Sequence, residues 1–177
     1  MGWGEIMKDI ALKSIYIGLT GVLIKDLFDR LYMALGFSGI SMAKVAAGSF
    51  VAVDSLSTTA ALIIGYTAHF TVGGILGLLF LSFLLITGTR YNMQKGIFFG
   101  LAVWLLLSGV GLTLGVSNYY PRDPSSVLML LFDHIVFGIT IGYLIPRFAL
   151  AGNKEEISLI KTIQPAFKLL KPNKNKS

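Results

Sequence analysis

Two histidines are the residues of this sequence best suited to chemistry, and each begins the same pattern, His-x3-Gly-x3-Gly. The copies of the pattern are His69, Gly73, Gly77 and His134, Gly138, Gly142, and the chain has 2 histidines in all. Imidazole titrates near neutral pH and binds haem iron, so proton transfer and ligation are the chemistries to consider. Positions four apart share one face of a helix, which puts each histidine on the same face as its glycines.

The first hypothesis gives both patterns a role in helix packing. Glycines at this spacing let a second helix come close, and each histidine would then hydrogen-bond a hydroxyl or carbonyl group across the contact. The packing residues under this hypothesis are Gly73, Gly77, Gly138 and Gly142.

The second hypothesis makes the histidines part of a proton or ion relay. An ionisable side chain inside a membrane is costly, so it marks a functional site by default. The relay or ligand candidates are His69, His134, Asp133, Asp26 and Asp29. Asp54 and the charged run 25–30 would extend the same polar path.

The third hypothesis is haem bound between the two histidines, which would stand on two different helices. If the glycines bring those helices into contact, no room is left for a porphyrin. Two imidazoles are also too few ligands for a closed metal site. We therefore expect no cofactor and no metal, and keep bis-histidine haem binding as an alternative.

Enzymatic catalysis has little support in the sequence, which contains no nucleophile elbow, phosphate-binding loop or His-Glu-x-x-His pattern. Asp133 and His134 are adjacent, but adjacent positions on a helix do not face each other. The chain has 0 cysteines, which excludes thiolate chemistry and cysteine metal sites. We expect a protein that is not an enzyme.

The chain that positions these residues is strongly apolar. Of its 177 residues, 54% are hydrophobic and 14% are charged, and the mean hydropathy is +0.74. Continuous apolar runs of about 20 residues indicate membrane helices, because backbone groups in lipid must be paired within their own segment. The sequence predicts an all-α polytopic protein of the cell membrane, in bacteria the inner membrane.

Four transmembrane helices are predicted, at about 11–35, 60–87, 96–114 and 126–145. The last should end at Pro146, since proline breaks a helix. An interfacial segment (3–12) precedes the first helix, and residues 42–53 are too short to span, which predicts a surface helix or a re-entrant segment. The membrane domain, 1–150, is followed by a basic amphipathic tail, 151–177, expected to bind anionic lipids and no nucleic acid.

The first predicted helix carries a charged run, Lys25, Asp26, Asp29 and Arg30. Its opposite charges pair at positions four apart. The favoured interpretation places the run near the outer membrane interface, with side chains that reach the headgroups. The alternative is a polar seam that faces a pore or a partner.

The distribution of basic residues predicts the topology. Of the 15 lysines and arginines, 11 lie in the N-terminal segment, the 88–95 loop and the C-terminal tail. The positive-inside rule then places both termini in the cytoplasm and requires an even number of spans. Two helix pairs, about 11–87 and 96–146, would form a 2+2 parallel repeat about an axis along the membrane normal. Gly18 in the first half and Gly100 in the second are weakly matching positions of this repeat, and the two histidine patterns match strongly.

The chain resembles a group of small bacterial four-helix membrane proteins of the YqhR-like kind. The residues that carry the resemblance are Gly18-Leu-Thr-Gly-Val-Leu-Ile-Lys-Asp26, the two histidine patterns and Lys95-Gly-Ile-Phe-Phe-Gly-Leu-Ala-Val-Trp104. It covers roughly residues 14–147 and implies the fold, with no activity or ligand. The sequence favours a subunit of a homo-oligomer or of a larger membrane assembly. A small ion or proton channel or carrier is the alternative.

Overall fold

The computed structural model describes residues 3–37, 41–111, 113–120 and 123–150. In these ranges the chain is helical and has no strand, which confirms the all-α prediction. The elements are α1 (Trp3–Ala34), α2 (Met42–Ala47), a 3₁₀ turn (Val53–Ser55), α3 (Thr59–Thr87), α4 (Asn92–Trp104) and α5 (Pro124–Leu144). α4 continues as a π-helix, Leu105–Gly111, and α5 continues as a second one, Ile145–Ala149. The predicted tail, 151–177, lies outside the described residues.

Three helices of the described chain are long and apolar enough to cross a membrane. They are Thr59–Thr87, Asn92–Gly111 and Pro124–Ala149, with mean hydropathies of 2.3, 1.5 and 2.0 over their best windows. α1 is the longest helix at 32 residues, but it carries the charged run and is less apolar. The prediction of spanning helices is therefore met by α3, by α4 with its π-helix, and by α5 with its π-helix.

Capping residues set the boundaries of the long helices. The Thr58 side chain accepts a hydrogen bond from the Ala61 N–H and so caps the start of α3. The Asp123 carboxylate accepts from the Ser126 N–H at 2.9 Å, and this bond lowers the pKa of Asp123. At the other end of α3, Lys95 Nζ donates to the last carbonyl groups, where a cation is favourable.

The core lies where α1 packs between α3 and α5, while α4 packs against α5. Buried apolar side chains fill the half of the bundle near the start of α1: Ile10, Phe80, Leu84, Ile141 and Ile145. The predicted interfacial segment is not separate from the first helix. Ile6 is also buried, because residues 3–12 form the first turns of α1 and pack into this core.

The segment after α1 forms a short helix that leans on α3. α2 has 6 residues, too few to span a membrane, as its length in the sequence predicted. A Cβ placed on Gly65 of α3 would overlap the carbonyl oxygen of Ala43, so the two backbones touch. Ser117 Oγ donates to the Val45 carbonyl at 2.7 Å, which ties the loop before α5 to the same helix.

Glycines bring α3 into contact with α1. A Cβ on Gly18 would overlap the carbonyl oxygen of Gly73, and a Cβ on Gly77 would overlap the carbonyl oxygen of Ser14. Backbones this close leave no space for a side chain at either glycine. The glycines of the first histidine pattern therefore hold α3 against α1.

The second histidine pattern makes a matching contact between α5 and α4. A Cβ on Gly138 would overlap the carbonyl oxygen of Gly96, and a Cβ on Gly100 would overlap that of His134. A Cβ on Gly142 would lie 2.9 Å from the Asn92 carbonyl oxygen. The glycines thus join each histidine helix to a different neighbour. They do not join α3 to α5, although the argument against haem had assumed that they would.

Pro146 does not end the last helix, contrary to the prediction from the sequence. The helix widens into the π-helix Ile145–Ala149, with a bond of 3.1 Å from the Leu150 N–H to the Ile145 carbonyl. In an α-helix, Pro146 would leave the Gly142 carbonyl without its N–H donor. Asn92 Nδ2 of α4 donates to that carbonyl at 2.9 Å. A side chain from the neighbouring helix therefore replaces the missing donor.

Gly18→Ala should destabilise the protein by about 1–3 kcal/mol, because the added methyl group forces two backbones apart. Gly4→Ala is the matched control in the same helix, since a Cβ on Gly4 meets nothing within 4 Å. That control should be neutral, or stabilising by up to about 1 kcal/mol from helix propensity. Unfolding in mixed micelles, followed by circular dichroism, measures both variants. Equal stabilities would contradict the close contact of α1 and α3.

Asn92→Ala should cost about 1–2 kcal/mol of stability, because it leaves the Gly142 carbonyl without a donor. In a Pro146→Ala background the cost should fall, since residue 146 then has an N–H that can bond that carbonyl. A double-mutant cycle with the same unfolding assay measures the difference. Strictly additive effects would show that Asn92 does not compensate for the proline.

Candidate functional site

One buried stripe of α1 changes from apolar to charged along its length, and its charged part is the candidate site. We call Lys25, Asp26, Asp29, His69 and Asp133 the charge cluster. Lys25 Nζ donates to Asp26 Oδ1 and to Asp29 Oδ2, each at 3.2 Å. It also lies 4.0 Å from Asp133 Oδ2 on α5. One ammonium group therefore faces three carboxyl groups from two helices.

The charge cluster is inside the helix bundle. Lys25 is 3% exposed and Asp29 is 7% exposed, so these two side chains pack inside the protein and do not extend outward as the favoured interpretation expected. The physical reason is that α1 packs between α3 and α5, which turns this stripe of α1 toward other helices. The pairing expected between positions four apart is present. The alternative, a polar seam that faces a pore or a partner, stays a prediction. In the structure Lys25 faces Asp133 of the same chain.

Asp133 is the most deeply buried member of the cluster, at 1% exposure. Both of its carboxylate oxygens lack a hydrogen-bond partner among the described residues. Asp133 is adjacent to His134 in sequence, but adjacent helix positions do not face each other. In the structure Asp133 faces Lys25 of α1. A buried carboxyl group without a donor is costly, because no solvent replaces the missing hydrogen bonds.

His69 connects α3 to the charge cluster. Its Nε2 lies 3.0 Å from Asp26 Oδ1, so the ring N–H donates across the contact between α3 and α1. The glycines of its pattern make this possible by holding α3 close to α1. The predicted hydrogen bond across the glycine contact is present for His69, but its partner is a carboxylate and not the hydroxyl or carbonyl group that was expected.

His134 has a different environment. Its Nδ1 lies 2.8 Å from the Leu130 carbonyl oxygen of the preceding turn, and a carbonyl accepts, so Nδ1 carries the proton. His134 and His69 both line a small cavity of about 40 Å³, together with Lys25 and Phe137. Pockets for drug-sized ligands measure about 300 Å³ or more, so a haem does not fit between these histidines.

A larger cavity of about 180 Å³ leads to the charge cluster from the end of α1, and we call it the vestibule. Its lining includes Asp26, Asp29, Arg30, Ser41 and Tyr66. Arg30 Nη2 donates to the Tyr66 hydroxyl at 3.0 Å across its wall. Tyr66 was not predicted as a site residue, because 36 positions separate it from Arg30 and no local pattern joins the two residues.

The remaining candidates lie elsewhere. Asp54 is exposed in the 3₁₀ turn and lines neither cavity. Within the described residues, no three His, Cys, Asp or Glu side chains are arranged to hold a metal ion. The site consists of a lysine, three aspartates and a histidine from three helices.

Comparisons with protein-family models, with curated proteins and with solved structures find no match to this chain.

Lys25→Met should destabilise the protein by about 3–5 kcal/mol, because it leaves buried carboxylates without their counter-ion. Lys13→Met is the matched control on the same helix, where the pair with Asp9 is 40% and 43% exposed. That change should cost about 0–1 kcal/mol. Chemical unfolding in micelles measures both.

Adding Asp29→Asn to Lys25→Met should restore part of the lost stability, since it removes one of the carboxylates that Lys25 contacts at 3.2 Å. A double variant as unstable as Lys25→Met would contradict a direct interaction between these residues.

Proposed function

We propose that this chain is a proton-coupled membrane carrier of four spans, in which the charge cluster is the proton-binding site. The single observation that carries the proposal is Asp133, buried at 1% exposure with no hydrogen-bond donor to its carboxyl oxygens among the described residues. Two carboxylates already contact Lys25 closely, so a third negative charge has little compensation. Uptake of a proton by this group removes the uncompensated charge.

α1 serves as the fourth span in this proposal. A helix of 32 residues is roughly 48 Å long at 1.5 Å per residue, more than the roughly 30 Å hydrocarbon thickness. It packs between α3 and α5, which are themselves long and apolar enough to span. Its charged residues make α1 less apolar than the other long helices, but Lys25 and Asp29 are paired with each other inside the bundle.

The glycine contacts support the proposed 2+2 repeat. In one contact Gly18 meets Gly73, and in the other Gly96 meets Gly138. Gly73 and Gly138 are the first glycines of the two histidine patterns. This pairing makes Gly96 the counterpart of Gly18, in place of the Gly100 expected from the sequence. With both termini cytoplasmic under the positive-inside rule, the vestibule at the end of α1 opens away from the cytoplasm.

The two ends of the bundle differ in a way that favours a carrier over an open channel. On one side, the vestibule reaches Asp26 and Asp29, and Asp26 bonds His69. On the other side, the core around Phe80, Leu84 and Ile141 is buried and apolar. A proton therefore has polar groups to follow from one side as far as the cluster, and the dry core closes the other side.

Asp133→Asn should abolish the infrared carbonyl-stretch band of a protonated, buried carboxyl group. The band should be present in the unchanged protein and respond to pH, because the vestibule admits protons to the cluster. Asp9→Asn is the control, since Asp9 is an exposed carboxylate on the same helix. Infrared difference spectra at two pH values measure the effect. A band that persists in Asp133→Asn would overturn the assignment.

The other functions expected from the sequence stay predictions. A non-enzymatic subunit of a homo-oligomer or of a larger membrane assembly is the second candidate. The contact of α3 with α4 is much slighter than that of α1 with α5, although both belong to equivalent positions of the proposed repeat. The smaller contact between α3 and α4 is where a second copy would add contacts.

A further inference from the structure

A third and larger cavity lies where the π-helix of α4 approaches the start of α5. Its volume is about 480 Å³, within the range of about 300–1,000 Å³ that is typical of small-molecule sites. Its lining includes Trp104, Ser108, Gly109, Tyr120 and Val127. None of these residues belongs to the charge cluster or lines the vestibule, so this cavity is a separate feature of the molecule.

Two hydrogen-bond donors in the cavity wall are unused. The Trp104 Nε1 and the Tyr120 hydroxyl oxygen are buried atoms without a hydrogen-bond partner among the described residues. Tyr120 comes near Ser108 but does not reach hydrogen-bonding geometry, and burial raises the pKa of Tyr120, so its hydroxyl stays a neutral donor. Buried donors are nearly always paired in proteins, so an acceptor other than the described residues is expected to complete them.

The backbone around the cavity is also unusual. Residues Leu105–Gly111 form a π-helix of 7 residues, a rare conformation that is frequent at functional sites. Its wider turns carry Ser108 and Gly109 into the wall of the cavity. A Cβ on Gly109 would meet Leu105 Cδ1 at 3.6 Å and no backbone atom, so the space beside this glycine is open.

The lining also indicates the chemistry of a ligand. The side chains that the structure describes in this wall carry no charge, and their polar groups are an indole N–H and hydroxyls. Such groups suit a neutral acceptor oxygen better than a phosphate, for which arginine or lysine is usual. The apolar and aromatic remainder of the wall suits a flat or aliphatic body.

We propose that the cavity binds an amphipathic molecule with carbonyl oxygens, which accept hydrogen bonds from Trp104 and Tyr120. Two sources share this chemistry: the ester carbonyls of a membrane lipid, and a lipid-soluble quinone. The binding is independent of the charge cluster, so loss of proton uptake and loss of this binding are separable results.

Tryptophan fluorescence tests the proposal, because the chain has 2 tryptophans and Trp3→Phe leaves Trp104 as the reporter. The purified Trp3→Phe protein is titrated in micelles with a short-chain benzoquinone, and separately with a diacyl lipid brominated near the ester group. Both probes quench indole fluorescence on contact. Saturable quenching by the quinone identifies a quinone site, and saturable quenching by the lipid identifies a lipid site; either supports the proposal.

Three variants in the Trp3→Phe background show whether the quenching arises in the cavity. Tyr120→Phe should raise the dissociation constant about 5- to 10-fold, because one hydrogen bond to the ligand is lost. Gly109→Leu should weaken it further by filling the open space. Tyr91→Phe is the control, since Tyr91 is exposed at the far end of α4. Circular dichroism shows that each variant is folded. Linear quenching by both probes, or saturable quenching that Tyr120→Phe and Gly109→Leu leave unchanged, would overturn the proposal.

Discussion

Lys25 contacts two carboxylates at 3.2 Å and lies 4.0 Å from a third carboxyl group, at a point where three apolar helices meet. In such surroundings an ion pair is stable only when its geometry is good, because desolvation of each charge costs several kcal/mol. The position of Lys25 therefore constrains the register of α1 against α5, and through Asp26 and His69 the register of α3 as well. A shift of any of these helices by one turn would break at least one of these contacts.

The glycine contacts are the means by which the helices meet this constraint. His69 reaches Asp26 at 3.0 Å because α3 lies against α1 at Gly18 and Gly73, with no side chain between the backbones. A methyl group at that contact would move the imidazole away from the carboxylate. Close packing and the electrostatics of the site are thus one arrangement, and the hypotheses of a packing role and a relay role for the histidine patterns are compatible.

Local signals allowed part of this to be predicted. The spacing of the glycines identified the faces that touch, since residues four apart share a helix face. Which helices those faces join was not predictable, because the pairing of Gly96 with Gly138 is a long-range fact. Burial of Lys25 was missed for a related reason. A charge in a helix is read as a surface residue until its partners, here Asp133, are known to lie nearby.

Pro146 shows the same limit at a single residue. Proline predicts the end of a helix from local chemistry alone, because it lacks an N–H and clashes with the preceding turn. Here the π-helix removes the clash and Asn92 of α4 supplies the missing donor to the Gly142 carbonyl. Both compensations come from structure beyond the local sequence.

Under the proposed 2+2 repeat, the two halves of the chain carry different chemistry at matching positions. When α4 is aligned on α1 through their contact glycines, Trp104 stands at the position of Asp26 and Ser108 at that of Arg30. Asp26 and Arg30 line the vestibule, and Trp104 and Ser108 line the large cavity beside the π-helix. Each half thus has a cavity near the same end of the bundle. The charged cavity suits protons, whereas the uncharged one suits an amphipathic molecule, so a duplicated helix pair would yield two sites of different specificity.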